Sequence, residues 1–244
     1  MESNRQKKKK ESNFVVQGSI LAVASIVVRI IGIAYRIPMI NIIGDEGMGY
    51  YGTAFNVYNI ALLLSSYSLP LAVSKMVSAR LAGKQYRNAA RILRAALCYA
   101  TIVGAFAAAV IWFGADFFAK DVFFMPYAAF ALRTLAPTVW IMAYLGVFRG
   151  YFQGRQNMNP TAVSQFVEQI FRVGVGLALA YALLDVSLDS AAAGATFGAT
   201  AGSVAGLLVI VLIYFMSKKV IKYNIKKNRS HGARESSKSI IKQM

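Results

Sequence analysis

The sequence has one cysteine and one histidine among its 244 residues. Cys98 lies in a long apolar run, and His231 lies in a basic stretch near the C-terminus. A single cysteine excludes a disulfide framework, and the lack of a Cys/His cluster argues against a metal site. These absences exclude small disulfide-rich secreted proteins and zinc-binding modules.

Enzyme motifs are also missing. There is no glycine-rich loop followed by Lys-Ser or Lys-Thr, so an ATP-binding P-loop is excluded. A nucleophile elbow is absent, as are paired aspartates of the kind that hold magnesium in prenyl-diphosphate enzymes. We infer that the protein moves a substrate rather than transforming it, and we expect neither a cofactor nor a metal.

Acidic residues are scarce, with 10 Asp and Glu against 27 Lys and Arg and a net charge of +17. Such a balance can indicate nucleic-acid binding. Most of the basic residues, however, lie in the two tails and in alternate connections between apolar runs, whereas the other connections carry mainly acids. This is the positive-inside pattern of membrane proteins. It predicts membrane lipids rather than nucleic acid as partners, with both termini in the cytoplasm.

Long apolar runs fill most of the chain, which is 57% hydrophobic. Since about 20 residues cross the hydrocarbon core, six runs are long enough to span it, at 14–43, 51–78, 90–115, 125–148, 162–184 and 191–216. The first run is too long and too rich in arginine to be a cleaved signal peptide. The sequence therefore predicts an all-α integral membrane protein with six transmembrane helices.

This reading divides the chain into three parts. Residues 1–13 form a basic cytoplasmic tail, residues 14–216 a six-helix transmembrane lobe, and residues 217–244 a basic cytoplasmic segment. Pro70 and Pro137 fall inside spans and are expected to kink them.

Arg29 and Arg36 lie inside the first span, where a charge costs roughly 3 kcal/mol unless it meets water, an acid or an anionic ligand. Seven residues make two helical turns, so both guanidinium groups share one face, about 10 Å apart. Guanidinium binds phosphate bidentately. We therefore expect Arg29 to line a water-filled cavity that binds an anionic, phosphate-bearing substrate. Arg36 either lines the same cavity or snorkels outward.

Glu168 and Arg172 are four residues apart in the fifth span, in the order that favours an intrahelical ion pair. One interpretation is a buried pair that steadies the helix. The other is an acid that responds to protons or cations and gates the cavity. Arg133, in the fourth span, either lines the same cavity or pairs with Glu168.

Glycine recurs every fourth residue in the sixth span, at Gly194, Gly198, Gly202 and Gly206. Small residues at this spacing let membrane helices approach closely. We interpret the ladder as a helix-packing face rather than a substrate site.

Several segments resemble one family of transporters. They read RIIGIAYRIP at 29–38, IGDEGMGYYG at 43–52, LPLAVSKMVS at 69–78, RGYFQG at 149–154, MNPTAVSQ at 158–165 and EQIFR at 168–172. Together they are similar to the lipid-linked oligosaccharide flippases, and most of all to the branch of Gram-positive bacteria that includes MurJ and stage V sporulation protein B. The resemblance covers nearly the whole chain.

The resemblance implies membership of the multidrug/oligosaccharidyl-lipid/polysaccharide exporter superfamily, whose MATE-like architecture sets two six-helix lobes around a central cavity. It implies a multi-pass protein of the bacterial plasma membrane that flips an undecaprenyl-diphosphate-linked saccharide, lipid II in the MurJ type, by alternating access. Arg29 aligns with a first-helix arginine of the cavity that receives the diphosphate. Arg36 matches another after a one-residue shift.

Only one lobe of this family is present in the 244 residues. Because alternating access needs a second lobe, we expect the chain to be a truncated N-terminal half or to pair with a second copy. Three other functions remain open: a flippase for a capsule or teichoic-type lipid-linked polysaccharide, a cation-coupled drug exporter, and a non-transporting scaffold in cell-wall or sporulation assembly. The exporter predicts cavity acids, and the scaffold predicts that Arg29 is dispensable.

Overall fold

The computed structural model describes the backbone of residues 2–227 and the side chains of residues 16–221 and 223. Most of the predicted basic segment 217–244, including His231, lies outside these residues. Within the described range the chain is helical throughout apart from short connections, which confirms the all-α prediction.

Seven α-helices make up this part of the chain. They are α1 (Glu2–Ala34), α2 (Arg36–Ser65), α3 (Leu69–Ala82), α4 (Tyr86–Phe117), α5 (Ala128–Gly154), α6 (Asn159–Leu183) and α7 (Leu188–Lys227), and a π-helical turn at Phe118–Val122 follows α4. The backbone of α1 is helical from its second residue, so the predicted tail of residues 1–13 is continuous with the first apolar helix. Glu, Gln and Lys are good helix formers, so the polar tail extends the apolar helix.

Five helical segments are long and apolar enough to cross a membrane: Val16–Ala82, Tyr86–Val122, Ala128–Gly154, Asn159–Leu183 and Leu188–Ile221. The chain is therefore a multi-pass membrane protein. The count of six spans is not confirmed, because the first two predicted spans both lie in the first segment. That segment has 67 residues, about three times what one crossing needs. The cytoplasmic location of the termini also stays a prediction.

The first segment is interrupted at two places. Gly44 has φ +66°, a backbone conformation that glycine adopts without steric penalty. The second break precedes Pro70, which lies in the first turn of α3. Pro137, by contrast, lies inside α5 without ending that helix. Tyr35, at the boundary between α1 and α2, keeps helical dihedral angles, and its N–H donates to the Ile31 carbonyl at 2.9 Å, so the helical path from Arg29 to Arg36 is continuous.

Helix α5 lies at the centre of the lobe and packs against α2, α3, α4 and α7. Two pairs of threonine hydroxyls link it to α7, Thr134 with Thr196 and Thr138 with Thr200, each at 2.6 Å. Hydrogen bonds of this kind hold membrane helices together where no water competes. They fix α7 on one side of the central helix.

The most extensive helix pair among the described residues is α6 with α7, and the glycine ladder lies in their interface. A Cβ atom added at Gly198 would lie 2.5 Å from the carbonyl oxygen of Arg172, and one at Gly194 would lie 3.0 Å from Leu179. Gly202 and Gly206 likewise face the backbone carbonyls of Glu168 and Ser164. Because α7 touches the backbone of α6 along this ladder, it fixes the helix that carries Glu168 and Arg172.

Alanine at Gly198 is expected to destabilise the lobe by about 1–3 kcal/mol, because its methyl group has no room and α6 must move away. Gly174 is the matched control: it is also a helical glycine, but an added Cβ meets nothing within 4 Å. Gly174→Ala should be neutral or stabilising by up to about 1 kcal/mol. Thermal unfolding of both variants in detergent checks this, and equal midpoints would contradict the close packing.

Candidate functional site

A cavity of about 490 Å³ lies between α1, α2 and α6, within the size range of small-molecule sites. Three arginines line it, one from each helix: Arg29 on α1, Arg36 at the start of α2, and Arg172 on α6. The described residues that line it include no aspartate or glutamate. The cavity is therefore strongly cationic.

Arg29 and Arg36 are exposed at the open side of this cavity. Within the described part of the chain, neither has a hydrogen bond or an ion pair. The nearby acid Glu46 accepts a hydrogen bond from the Tyr50 hydroxyl instead of pairing with Arg36. Both guanidinium groups thus keep all their donors for water or for a ligand.

Arg172 lies deeper and is only partly exposed. Its guanidinium carbon lies 4.7 Å from the centroid of the Phe55 ring, and Tyr51 lies beside it. The face of an aromatic ring attracts a guanidinium group. Arg172 is therefore held by aromatic side chains of α2 and forms no ion pair with an acid of the described residues.

Polar groups complete the lining. Asn56 and Asn59, one turn apart on α2, are exposed in the cavity, and Gln169 of α6 is buried beside it. Tyr35 also lines the cavity, and among the described residues its buried hydroxyl has no hydrogen-bond partner. These amide and hydroxyl groups both donate and accept hydrogen bonds, as a saccharide requires.

The small residues of α1 bring this helix against α6. The Ser25 hydroxyl donates a 3.4 Å hydrogen bond to Oε1 of Gln165, and a Cβ atom at Gly32 would lie 3.3 Å from Nε2 of Gln169. Ser25 and Gly32 therefore lie where α1 meets α6, and Gly32 also lines the cavity.

Glu168 does not form the intrahelical pair with Arg172 that its spacing predicts. Its Oε2 accepts a 2.7 Å hydrogen bond from Nη2 of Arg149, on α5. Arg149 is 8% exposed, and its Nε also donates to the Ser164 hydroxyl at 3.0 Å. The ion-pair partner of Glu168 is therefore Arg149 on another helix, and not Arg172 on α6 itself.

Arg133 does neither of the two things that its position in the sequence allows. It is not among the residues that line this cavity, and it forms a 2.5 Å ion pair with Asp116, near the end of α4, instead of pairing with Glu168. The two side chains are 40% and 51% exposed.

Arg149, Asn56, Asn59 and Gln169 are the residues that sequence reasoning missed. Arg149 lies close to the end of an apolar run, where it resembles the basic residues that set membrane topology. The two asparagines could have been predicted from the sequence, since amides one turn apart in an otherwise apolar span face the same side of the helix. Nothing in the sequence distinguishes Gln169.

A family model described as "Polysaccharide biosynthesis protein" matches residues 15–243. The chain belongs to this family. It is 34% identical over 156 residues to "Stage V sporulation protein B" of Bacillus subtilis (strain 168), covering 64% of this chain and 30% of that protein. It is 29% identical over 175 residues to "Lipid II flippase MurJ" of the same strain, covering 68% and 32%.

A third relative, "Uncharacterized membrane protein YabM" of Bacillus subtilis (strain 168), is 30% identical over 176 residues, covering 70% of this chain and 32% of that protein. The chain thus spans about a third of the length of the curated relatives it matches. No solved structure matches it.

The positive potential of the cavity predicts selective reactivity at its wall. The variant Asn59→Cys is made in a Cys98→Ser background. Its thiol should react faster with a sulfonate-bearing methanethiosulfonate than with a trimethylammonium-bearing one, after each rate is divided by the rate of the same reagent with a free thiol. Arg29→Gln should reduce this preference, because each nearby charge contributes about 1 kcal/mol even in a watery setting.

Arg133→Gln is the control, since it removes the same charge outside the cavity. Reaction rates that show no preference for the anionic reagent, or that respond equally to both substitutions, would contradict a cationic cavity.

Proposed function

We propose that this chain forms one lobe of a flippase that moves a lipid-linked, diphosphate-bearing saccharide across the membrane. The observation that carries this proposal is the cavity with three arginines and no acid among its described lining residues. Charges are retained at membrane depth where they serve a substrate path or meet a ligand. A polyanionic headgroup is the ligand that three guanidinium groups fit best.

Different lining residues bind the two polar parts of such a substrate, the diphosphate and the saccharide. Arg29 and Arg36 bind diphosphate oxygens, and each charge-assisted hydrogen bond is worth about 1.5–3 kcal/mol. Asn56 and Asn59 offer amides to the saccharide. The polyprenyl tail stays in lipid, against the apolar outer faces of the helices.

The relatives support lipid II as the substrate, since one of them is named a lipid II flippase. Another is named a sporulation protein, which keeps a different lipid-linked glycan as the alternative substrate. A second lobe, supplied by further chain or by a second copy, closes the open side of the cavity, where Arg29 and Arg36 are exposed. Alternating access then proceeds by rocking one lobe against the other.

In this scheme the cavity opens first to the cytoplasm and receives the diphosphate. Neutralisation of the arginines closes the inner side and favours the outward state. The membrane potential drives the empty cavity back, because each unpaired charge that crosses the full field gains about 2.3 kcal/mol per 100 mV.

Two rival functions fit the cavity less well. A cation-coupled drug exporter needs acids in its cavity, and Glu168 is occupied by Arg149. A scaffold would depend on packing faces such as the α6–α7 glycine ladder and would tolerate the loss of Arg29.

The test is exposure of lipid II on cells depleted of their own flippase, measured with a membrane-impermeant label after expression of this chain. The wild-type chain is expected to raise exposure. Arg29→Gln combined with Arg36→Gln should abolish this rise at equal protein level, whereas Arg133→Gln should retain it.

An unchanged rise with the double substitution would contradict the proposed role of the arginines. No rise with the wild-type chain, despite stable insertion, would contradict lipid II transport by copies of this chain alone, without a second lobe from further chain. Repeating the assay with labelled precursors of other wall polymers then tests the alternative substrate.

A further inference from the structure

We propose that Arg172 is a third phosphate-binding residue of the cavity, and that Arg149 keeps it available by engaging Glu168. This inference rests on the proposed function, because it concerns the same anionic substrate. Arg172 contacts the ligand, whereas Arg149 is a positioning residue that acts through Glu168.

Arg149 and Arg172 compete as ion-pair partners of Glu168 on α6. Glu168 precedes Arg172 by four residues, the favourable order for an ion pair on one helix. If that pair formed, the deepest cation of the cavity would be neutralised. In the structure the Arg172 guanidinium lies over the Phe55 ring of α2, and no acid of the described residues forms an ion pair with it.

Arg149 decides this competition because it holds Glu168 through a geometry that α6 alone does not offer. Nη2 of Arg149 donates to Oε2 of Glu168 at 2.7 Å, while Nε donates to the Ser164 hydroxyl at 3.0 Å. Ser164 is fixed in turn, since its hydroxyl donates to the Thr161 carbonyl at 2.8 Å. The guanidinium fork therefore binds two groups one turn apart on α6.

Helix α7 closes the opposite side of Glu168. A Cβ atom at Gly206 would lie 3.2 Å from the Cβ of Glu168, so the carboxylate is confined between Arg149 and α7. Tyr58, which is buried, lies close enough to interact with the charges of Arg149, Glu168 and Arg172. The three charges thus belong to one local network, in which only Arg172 lines the cavity.

Removal of Arg149 leaves Glu168 as a partly buried acid without its partner. Arg172, one turn away, is then the nearest cation on the same helix, and pairing with it lowers the energy of both groups. The cavity loses one of its three positive charges although none of its lining residues has been changed. This consequence separates an electrostatic role of Arg149 from a merely structural one.

The experiment measures binding of a fluorescent polyprenyl diphosphate to the full chain in lipid nanodiscs, with the matching polyprenol as the uncharged probe. Arg149→Met is expected to weaken diphosphate binding about tenfold, equivalent to about 1.4 kcal/mol. Arg149→Lys should bind more tightly than Arg149→Met, because it keeps the charge although it loses the guanidinium fork. Arg149→Met combined with Glu168→Gln should restore binding, because no acid is left to neutralise Arg172.

Arg172→Gln should also weaken binding about tenfold, and adding Arg149→Met to it should cause no further loss, since both changes remove the same charge. If Arg149→Met fails to fold, the single variants Glu168→Gln and Arg172→Gln test the proposal instead. Glu168→Gln should bind at least as tightly as wild type. Failure of Glu168→Gln to rescue Arg149→Met, or unchanged binding by Arg172→Gln, would overturn the proposal.

Arg29→Gln with Arg36→Gln separates this inference from the proposed function. If this double variant binds the diphosphate like wild type, the proposed function fails. If it binds weakly while the Arg149 and Arg172 variants bind normally, the cavity binds the anion and only the third phosphate contact is wrong. Polyprenol binding should be unchanged in every variant.

Discussion

Guanidinium groups inside apolar helices must meet water, an acid or an anion, and the architecture of this lobe follows from how each of them is satisfied. Arg149 meets Glu168 in the interior between α5 and α6. Arg133 meets Asp116 at an exposed site. Arg29, Arg36 and Arg172 meet no acid of the described residues and share one cavity. The division between satisfied and unsatisfied cations is what distinguishes structural charge from charge held for a ligand.

Helix α6 joins the two groups, because Glu168 and Arg172 lie one turn apart on it and face different partners. Its position depends on α7, whose glycine ladder contacts the α6 backbone, and α7 is in turn tied to the central helix by threonine pairs. The position of this cavity wall therefore depends on the packing of α5, α6 and α7 behind it. The open side, formed by α1 and α2, contains the non-helical residue Gly44.

The sequence was sufficient for the features that depend on one helix or on composition. Apolar runs predict the helices, and Arg29 and Arg36 stand out because nothing in their own span compensates them. The sequence alone does not reveal which side chains on different helices become partners. The i, i+4 rule offers Glu168 only Arg172, whereas the folded chain offers it Arg149. Proline shows the same limit, because Pro70 lies in the first turn of α3 whereas α5 continues through Pro137.

The most direct test of the central claim is to locate a bound substrate headgroup. A polyprenyl-diphosphate saccharide with a photoreactive group on the sugar is incubated with the chain in nanodiscs, irradiated, and the cross-linked peptides are identified by mass spectrometry. The cationic-cavity account predicts cross-links to the cavity faces of α1, α2 and α6, lost when excess unlabelled pyrophosphate competes. Cross-links confined to the lipid-facing sides of the helices, or unaffected by pyrophosphate, would contradict it.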